Sequence, residues 1–518
     1  MSTTVNATCA QILLDYFGQT VARLGGCLLR LGDATFPTLV SRSKLPPAKH
    51  NIVEFSQRES GAVVYSCSRS SLFALARIPR YVHVGKLLYG DGAELIVEEL
   101  LLHGQRPMSQ VVKGVTKKLR DALENEAEVD IMEVKRNFVQ LAESQFIRRC
   151  LPLDPTATND TDDLPSFRTI SDPFLLPDKI SLDIATTSEP AAKKRKVDET
   201  NFSETDPDAD ILWKVNLDKF HLFLRDQTII KMIAMQYGET AGEVMRAALR
   251  LSELKSDFSR PRSGILISLE MYKLLAPSCK LSKTDFERYL TLLCDDGARY
   301  LLKMAETGGG SYQIDFLAIS RSLTSNLLDS IVQERYGRWG LRIFRLLLER
   351  GYSEQTEIEN KCLLPQRDIK SYVYKMLADG FIHTKKVCKT SDFAPSRVFY
   401  LFHVDFDWLV KQVLETAYKS LRNLIVRRQH EMTENRVLLE NVQKVEALIS
   451  QIQEDSNLAP EAKEQQVKEI EEGYLPASSR QAVEEHKRRI IQLVQAETNV
   501  DSTIFTLEMY LNYVDMSR

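Results

Sequence analysis

The apolar positions along the chain recur as a unit of three amphipathic helical stretches followed by β-rich residues, and that unit appears more than once. One copy reads Cys27-Leu28-Leu29-Arg30-Leu31-Gly32, then Phe36 to Ser41, then Pro46 to Glu59, and ends at Ser60-Gly61-Ala62-Val63. Another reads Leu346-Leu347-Leu348-Glu349-Arg350-Gly351, then Glu354 to Cys362, then Pro365 to Asp379, and ends at Gly380-Phe381-Ile382. The delimiting glycines are equally spaced in the two, Gly32 to Gly61 and Gly351 to Gly380. A third copy runs through Leu100 to Gly104, Met108 to Leu119, Glu133 to Ser144 and Phe146-Ile147, lengthened by an acidic insert around Glu124 to Asp130. A weaker fourth spans Val244 to Ile314, with a helix at Leu281 to Leu293 and then Gly297.

Helix, short polar turn, helix, third amphipathic helix and hairpin is the order of a winged helix. The hairpin signal is strongest where Arg299 to Leu302 and Ser311 to Ile314 flank Gly308-Gly309-Gly310, and where Phe381-Ile382-His383 precedes Val398 to Leu401. The three glycines lack the Gly-Lys-Ser/Thr ending of a phosphate loop and lead into a strand, so they read as a turn. From about residue 415 the period changes. Ten positions from Leu421 to Ile452 step by three and four, and seven are apolar: Leu421, Leu424, Leu438, Val442, Val445, Ile449 and Ile452. A second seam runs through Val483, Ile490, Leu493, Val500, Ile504, Leu507, Leu511 and Val514, broken at His486 and Glu497. The breaker-rich segment between them favours an intramolecular antiparallel pair about 48 Å long, with homodimerisation through either seam as the alternative.

The expected fold is therefore mainly α: tandem winged helices with a C-terminal antiparallel coiled coil. The expected divisions are winged helices at 1–77, 78–150, 211–325 and 326–408, a linker at 151–210 and a coiled-coil hairpin at 409–518. The linker has seven of the 18 prolines, and 14 acidic residues against six basic ones, whereas the whole chain of 518 residues carries only −3. The remainder is thus mildly basic, which excludes a protein whose entire surface grips phosphate. Four of the linker cations are consecutive, Lys193-Lys194-Arg195-Lys196, a candidate nuclear localisation signal.

Chemistry is conspicuous by what the motifs omit. The eight cysteines contain no Cys-x-x-Cys pair, which suits buried thiols in a reducing compartment and makes zinc an unlikely fit. There is no H-E-x-x-H, G-x-S-x-G or Walker loop, and no histidine lies four residues from another histidine or a cysteine. His221, between Phe220 and Leu222, reads as a packed or surface residue and not as a ligand. These features predict a binding protein with no catalytic residue, cofactor, small-molecule substrate or membrane span.

Several runs carry a family resemblance. Ile78-Pro79-Arg80-Tyr81 through Gly92 to Leu102, Ile331 to Gly337 with Arg342 to Arg345, and Ala394 to Leu401 resemble the third-subunit family of eukaryotic DNA-directed RNA polymerase III. Arg427-Arg428-Gln429, Glu434-Asn435-Arg436 and Thr503-Ile504-Phe505 fit as well. The resemblance covers nearly all of the chain outside the linker. It implies four winged helices and a coiled coil related to TFIIE-alpha. It also implies a nuclear, non-catalytic subunit in a three-subunit subcomplex over the polymerase clamp, acting in promoter recognition and opening at genes for small untranslated RNAs such as tRNA and 5S rRNA. A stand-alone transcription factor and a winged-helix scaffold of another assembly are the competing classes.

Within that frame the last winged helix is the best DNA candidate. Its hairpin region holds Lys385, Lys386, Lys389 and Arg397 against Asp392, and its third helix offers Arg367 and Lys370. In the first copy the third helix offers Lys49 and Arg58. So few cations per module predict salt-sensitive contact that is not sequence-specific. Arg335, Arg338, Arg342 and Arg345 form a further basic group, read as a solvated or partner-facing stripe over packed Ile343, Phe344 and Leu347.

Overall fold

A computed structural model of the chain describes residues 2–32, 34–35, 53–57, 63–122, 131–151, 173–175, 208, 211–255, 260–275, 281–295, 297, 299–306, 309–388, 398–454, 473 and 477–517. They form two compact units, Ser2–Leu224 and Arg225–Arg518.

The first unit opens with α1 (Ser2–Leu31), β1 (Ala34–Thr35), β2 (Val53–Gln57) and β3 (Val63–Cys67). The three strands make one antiparallel sheet in the order β1-β3-β2. This corrects one expectation: the stretch Pro46 to Glu59, read as a third helix, contains a strand paired from Val53↔Cys67 to Gln57↔Val63. The alternation in Val53-Glu54-Phe55-Ser56 has period two, and the glycine spacing obscured it. Gly61 falls between two strands whereas Gly380 precedes one, so the equal spacings do not mark equivalent positions. Lys49 and Arg58 lie outside the described residues.

The same unit continues with α2 (Arg69–Ala76), α3 (Ile78–Tyr89), α4 (Asp91–His103), β4 (Arg106–Pro107), α5 (Met108–Ala122), α6 (Ile131–Glu143), β5 (Ile147–Arg149) and β6 (Leu212–Val215). Strand β6 sits between β4 and β5, with Trp213 opposite both Arg106 and Arg149. Trp213 is fully buried and meets Phe138 edge-on at 5.4 Å. The boundary expected at residue 211 is therefore wrong. Residues 151–210 interrupt the wing of the second winged helix instead of linking two domains, and the third strand of its sheet arrives only after them. Two described points of this insert are tied to the domain: the Pro173 carbonyl accepts the Arg149 N–H at 2.9 Å, and buried Asp208 accepts the Ser109 N–H at 2.8 Å. The second contact satisfies a free donor at the start of α5. Deleting 152–210 should accordingly lower the stability of this domain by about 1–2 kcal/mol through the lost cap alone. Deleting only 177–206 behind a short Gly-Ser bridge should leave its urea midpoint unchanged. Equal midpoints for the two deletions would contradict the anchoring role.

Helix α7 (Leu217–Tyr237) packs Phe220 against Phe146 at 4.8 Å and sets His221, half-buried, against Tyr81. Burial, then Arg77 and Arg80, pushes its imidazole down to about 4, and the neutral ring shares a hydrogen bond with the Tyr81 hydroxyl through Nε2 at 2.6 Å. Of the two readings the sequence allowed, the structure shows the packed one.

The second unit holds α8 (Glu239–Lys255), β7 (Leu266–Ile267), α9 (Ser268–Lys273), α10 (Lys283–Asp295), β8 (Leu301–Ala305) and β9 (Ser311–Ile314), a winged helix with sheet order β7-β9-β8. It continues through α11 (Phe316–Arg350), β10 (Ser353–Glu354), α12 (Gln355–Cys362), α13 (Gln366–Ala378), β11 (His383–Cys388) and β12 (Val398–His403), with sheet order β10-β12-β11. The third helices of three modules bury the same spacing of apolar side chains: Val134, Phe138 and Leu141; Phe286, Leu290 and Leu293; Ile369, Val373 and Met376. That i, i+4, i+7 stripe is one face of a helix, and it fixes which residues point outward.

All four modules share an elbow that precedes their first helix. Gly18, Gly90, Gly238 and Gly337 have φ between +70° and +94°, and each follows an aromatic residue: Phe17, Tyr89, Tyr237 and Tyr336. A left-handed φ breaks the helix without a Cβ penalty only at glycine, so α1 and α11 are each two helices meeting at an angle. In two modules the aromatic pins the elbow to the end of the third helix. Tyr89 meets Phe146 at 6.3 Å, and Tyr336 meets Phe381 at 5.5 Å while its hydroxyl donates to Asp379.

The remaining helices are α14 (Phe406–Glu434), α15 (Arg436–Glu454) and α16 (Ala477–Ser517). The partners Asp407–Tyr510, Tyr418–Glu508, Arg428–Glu497, Glu431–Arg489 and Val445–Val483 run in opposite directions along the chain, so the seams pair antiparallel within one polypeptide. The polar seam residues Arg428 and Glu431 are both paired across the helix pair. Arg428 Nε lies 2.8 Å from Glu497, and buried Glu431 takes Arg489 at 3.3 Å. Toward its end α16 is buried on more than one side, because Met509 and Tyr513 also enter the core of the third winged helix and Tyr513 stacks on Phe316.

Candidate nucleic-acid interface

In the fourth winged helix, α13 starts after Pro365, whose carbonyl accepts the Ile369 N–H. With Ile369, Val373 and Met376 turned inward, Arg367 and Lys370 stand on the exposed face, joined by Tyr374, which is 53% exposed. An aromatic ring one turn beyond two cations offers phosphate pairing and base contact from one helix face. Sequence reading passed over Tyr374, although its spacing of four from Lys370 places it on that face.

The wing divides the cations that the sequence groups together. Lys386 pairs with Tyr400 and Thr384 with buried Phe402, so Lys386 shares the sheet face turned toward the helices. Lys385 pairs with Leu401 on the opposite face, next to the His383–His403 pair. Successive strand residues alternate faces, so adjacent lysines serve two surfaces. Lys386 Nζ lies 5.8 Å from the Tyr400 ring, and Lys385 Nζ lies 5.0 Å from the Tyr352 ring. Tyr400 is about half exposed and is a second residue the sequence reading missed. Lys389 and Arg397 lie outside the described residues, as do Lys193, Lys194, Arg195 and Lys196.

The outer face at the base of the wing is packed. His403 lies 4.7 Å from Tyr352, and His383 meets Trp408 edge-on at 4.3 Å. Burial, aided by His383 and Lys385, holds the His403 imidazole below its ordinary value. This face braces the wing. The arginine stripe of α11 is exposed but partly committed: Arg345 pairs with Asp329 at 2.8 Å across the Gly337 elbow, and Arg335 lies over Phe381. Ile343, Phe344 and Leu347 beneath it are fully buried. Among the described residues no three His, Cys, Asp or Glu side chains are grouped to hold a metal, and no helix is long and apolar enough to cross a membrane.

Three family models match the chain. Residues 7–57 match the RNA polymerase III subunit RPC82 helix-turn-helix domain, residues 136–323 match RNA polymerase III subunit RPC82, and residues 328–404 match the POLR3C C-terminal winged-helix domain. The match over 328–404 covers the module that carries Arg367, Lys370 and the wing. Full-length relatives agree. The chain is 37% identical over 527 residues to DNA-directed RNA polymerase III subunit RPC3 of Mus musculus and of Homo sapiens, covering 97% of each chain. It is 32% identical over 541 residues to that of Danio rerio, covering 98% of each. With winged helices in both units, an antiparallel helix pair at the end and this identity along nearly its whole length, the chain belongs to the RNA polymerase III subunit RPC3 family.

Proposed function

We propose that the chain is a non-catalytic subunit of nuclear RNA polymerase III that acts in transcription initiation, within a three-subunit subcomplex that holds promoter DNA while it opens. Its genes would be those of small untranslated RNAs such as tRNA and 5S rRNA. The observation that carries the DNA-binding part is the outward face of α13, where Arg367, Lys370 and Tyr374 stand together beside a wing bearing Lys386 and Tyr400. Such a face contacts backbone and rings without a bidentate reader of base edges, which favours positioning over sequence recognition.

Salt dependence tests this. Each neutralised phosphate contributes a log–log slope of about 0.9 on duplex DNA. Substituting Arg367, Lys370 and Lys386 with Ala should flatten the slope by up to about three units, while Lys385→Ala, on the other wing face, should change it by less than about one. An unchanged slope in the triple variant would remove DNA from this face. For localisation, the 177–206 deletion described above also removes Lys193 to Lys196. Nuclear accumulation of that stable variant should fall, and unchanged accumulation would assign import to another segment or to the partners.

A further inference from the structure

The third winged helix presents the same surface as the fourth with the opposite chemistry. Helix α10 buries Phe286, Leu290 and Leu293, so Thr284, Glu287, Arg288, Thr291, Leu292 and Asp295 face outward. With Tyr237, the aromatic of the elbow, they line a groove of about 790 Å³. Arg288 is held by Asp285 at 3.1 Å, which leaves the carboxylates of Glu287 and Asp295 to set the sign of the groove. Leu292, 43% exposed, supplies an apolar wall between them. Two carboxylates where a DNA-reading helix needs cations repel a phosphate backbone. The groove has the volume to take several side chains, and its charge and apolar wall together specify what kind.

We propose that this groove docks a polypeptide segment of another polymerase subunit, one that places a basic side chain on each side of an aliphatic or aromatic anchor. The basic groups would meet Glu287 and Asp295, and the anchor would lie against Leu292 and Tyr237. The inference rests on the reading of the chain as a polymerase III subunit. It gives the two modules different roles, with the third binding protein and the fourth binding nucleic acid.

Site-specific crosslinking in purified polymerase III assembled with the full-length chain tests the inference. Leu292→p-benzoylphenylalanine should crosslink to a polypeptide, and the attached peptide should contain Lys or Arg within a few residues of the crosslink. The Glu287→Lys/Asp295→Lys variant should fold with an unchanged melting profile, abolish that crosslink and weaken association with the remaining subunits about tenfold at low salt. A crosslink to DNA, a crosslinked peptide without basic residues, or no crosslink in the intact assembly would each overturn the proposal. If the wild-type chain failed to assemble with polymerase III at all, the functional reading itself would fall with it.

Discussion

Replacing Val445 with Asp should open the far end of the C-terminal helix pair and with it undo the docking of the chain on its assembly. Val445 is 3% exposed and Val483 is 8% exposed, and they form one cluster with Leu438, Val442 and Ile449 where α15 meets α16. A carboxylate there enters an apolar cluster. Leaving it unpaired costs at least several kcal/mol, which a local helix contact of this size does not offset. The expected readouts are a loss of helical circular dichroism confined to the far end of the pair and failure to assemble with the other polymerase subunits. Adding Val483→Lys opposite it should restore part of both, because the pair then neutralises itself. Full assembly and normal helicity in the single Asp variant would show that this end of the pair contributes nothing.

Arg225→Ala should be comparably damaging to the second unit. The guanidinium is 5% exposed, lies 4.1 Å over the Phe316 ring, donates to the Tyr513 hydroxyl at 3.2 Å and to Asp226 at 2.8 Å. It therefore ties α7 to α11 and to the end of α16. Removing one member of a buried ion pair costs about 3–5 kcal/mol because the partner charge stays behind. Arg225→Met retains most of the packing volume and should be only modestly better. Adding Asp226→Asn to it should recover about half or more of the loss. Urea unfolding of the variant series decides this, and a stability loss under about 1 kcal/mol in Arg225→Ala would contradict it.

Much of this architecture is readable in the sequence because it is local. The stripes Phe286, Leu290, Leu293 and Ile369, Val373, Met376 declare their helices through a 3.6-residue period, and Gly308 to Gly310 mark a hairpin. What escapes is non-local or very short. Strands such as Ser353–Glu354 have two residues and no period to detect. Strand β6 pairs with β5 across the whole 151–210 insert, and composition alone makes such an insert look like a linker. The seam breaks were visible at Glu497 and at Arg428, but only the antiparallel register shows that they pair. The elbow motif of an aromatic followed by Gly was legible at Phe17-Gly18, Tyr89-Gly90, Tyr237-Gly238 and Tyr336-Gly337. The unequal distances between copies hid it.

The candidate site was legible in type and not in arrangement. Arg367 and Lys370 follow from helix periodicity. Lys385 and Lys386 look like one patch in sequence, and the alternation of a strand separates them. Tyr374 and Tyr400 become candidates only once burial shows them exposed beside those cations.

In the proposed function the chain helps open promoter DNA and leaves chemistry to other subunits. The most direct test is paired transcription by polymerase III reconstituted with the Arg367→Ala/Lys370→Ala/Lys386→Ala variant, once from a closed duplex promoter and once from a template with a pre-opened bubble. Initiation from the duplex should fall about tenfold or more, the loss expected if each phosphate contact contributes roughly 0.5–1 kcal/mol at moderate salt. RNA synthesis from the bubble should stay near wild type. An equal fall on both templates, or no fall on either, would contradict the account.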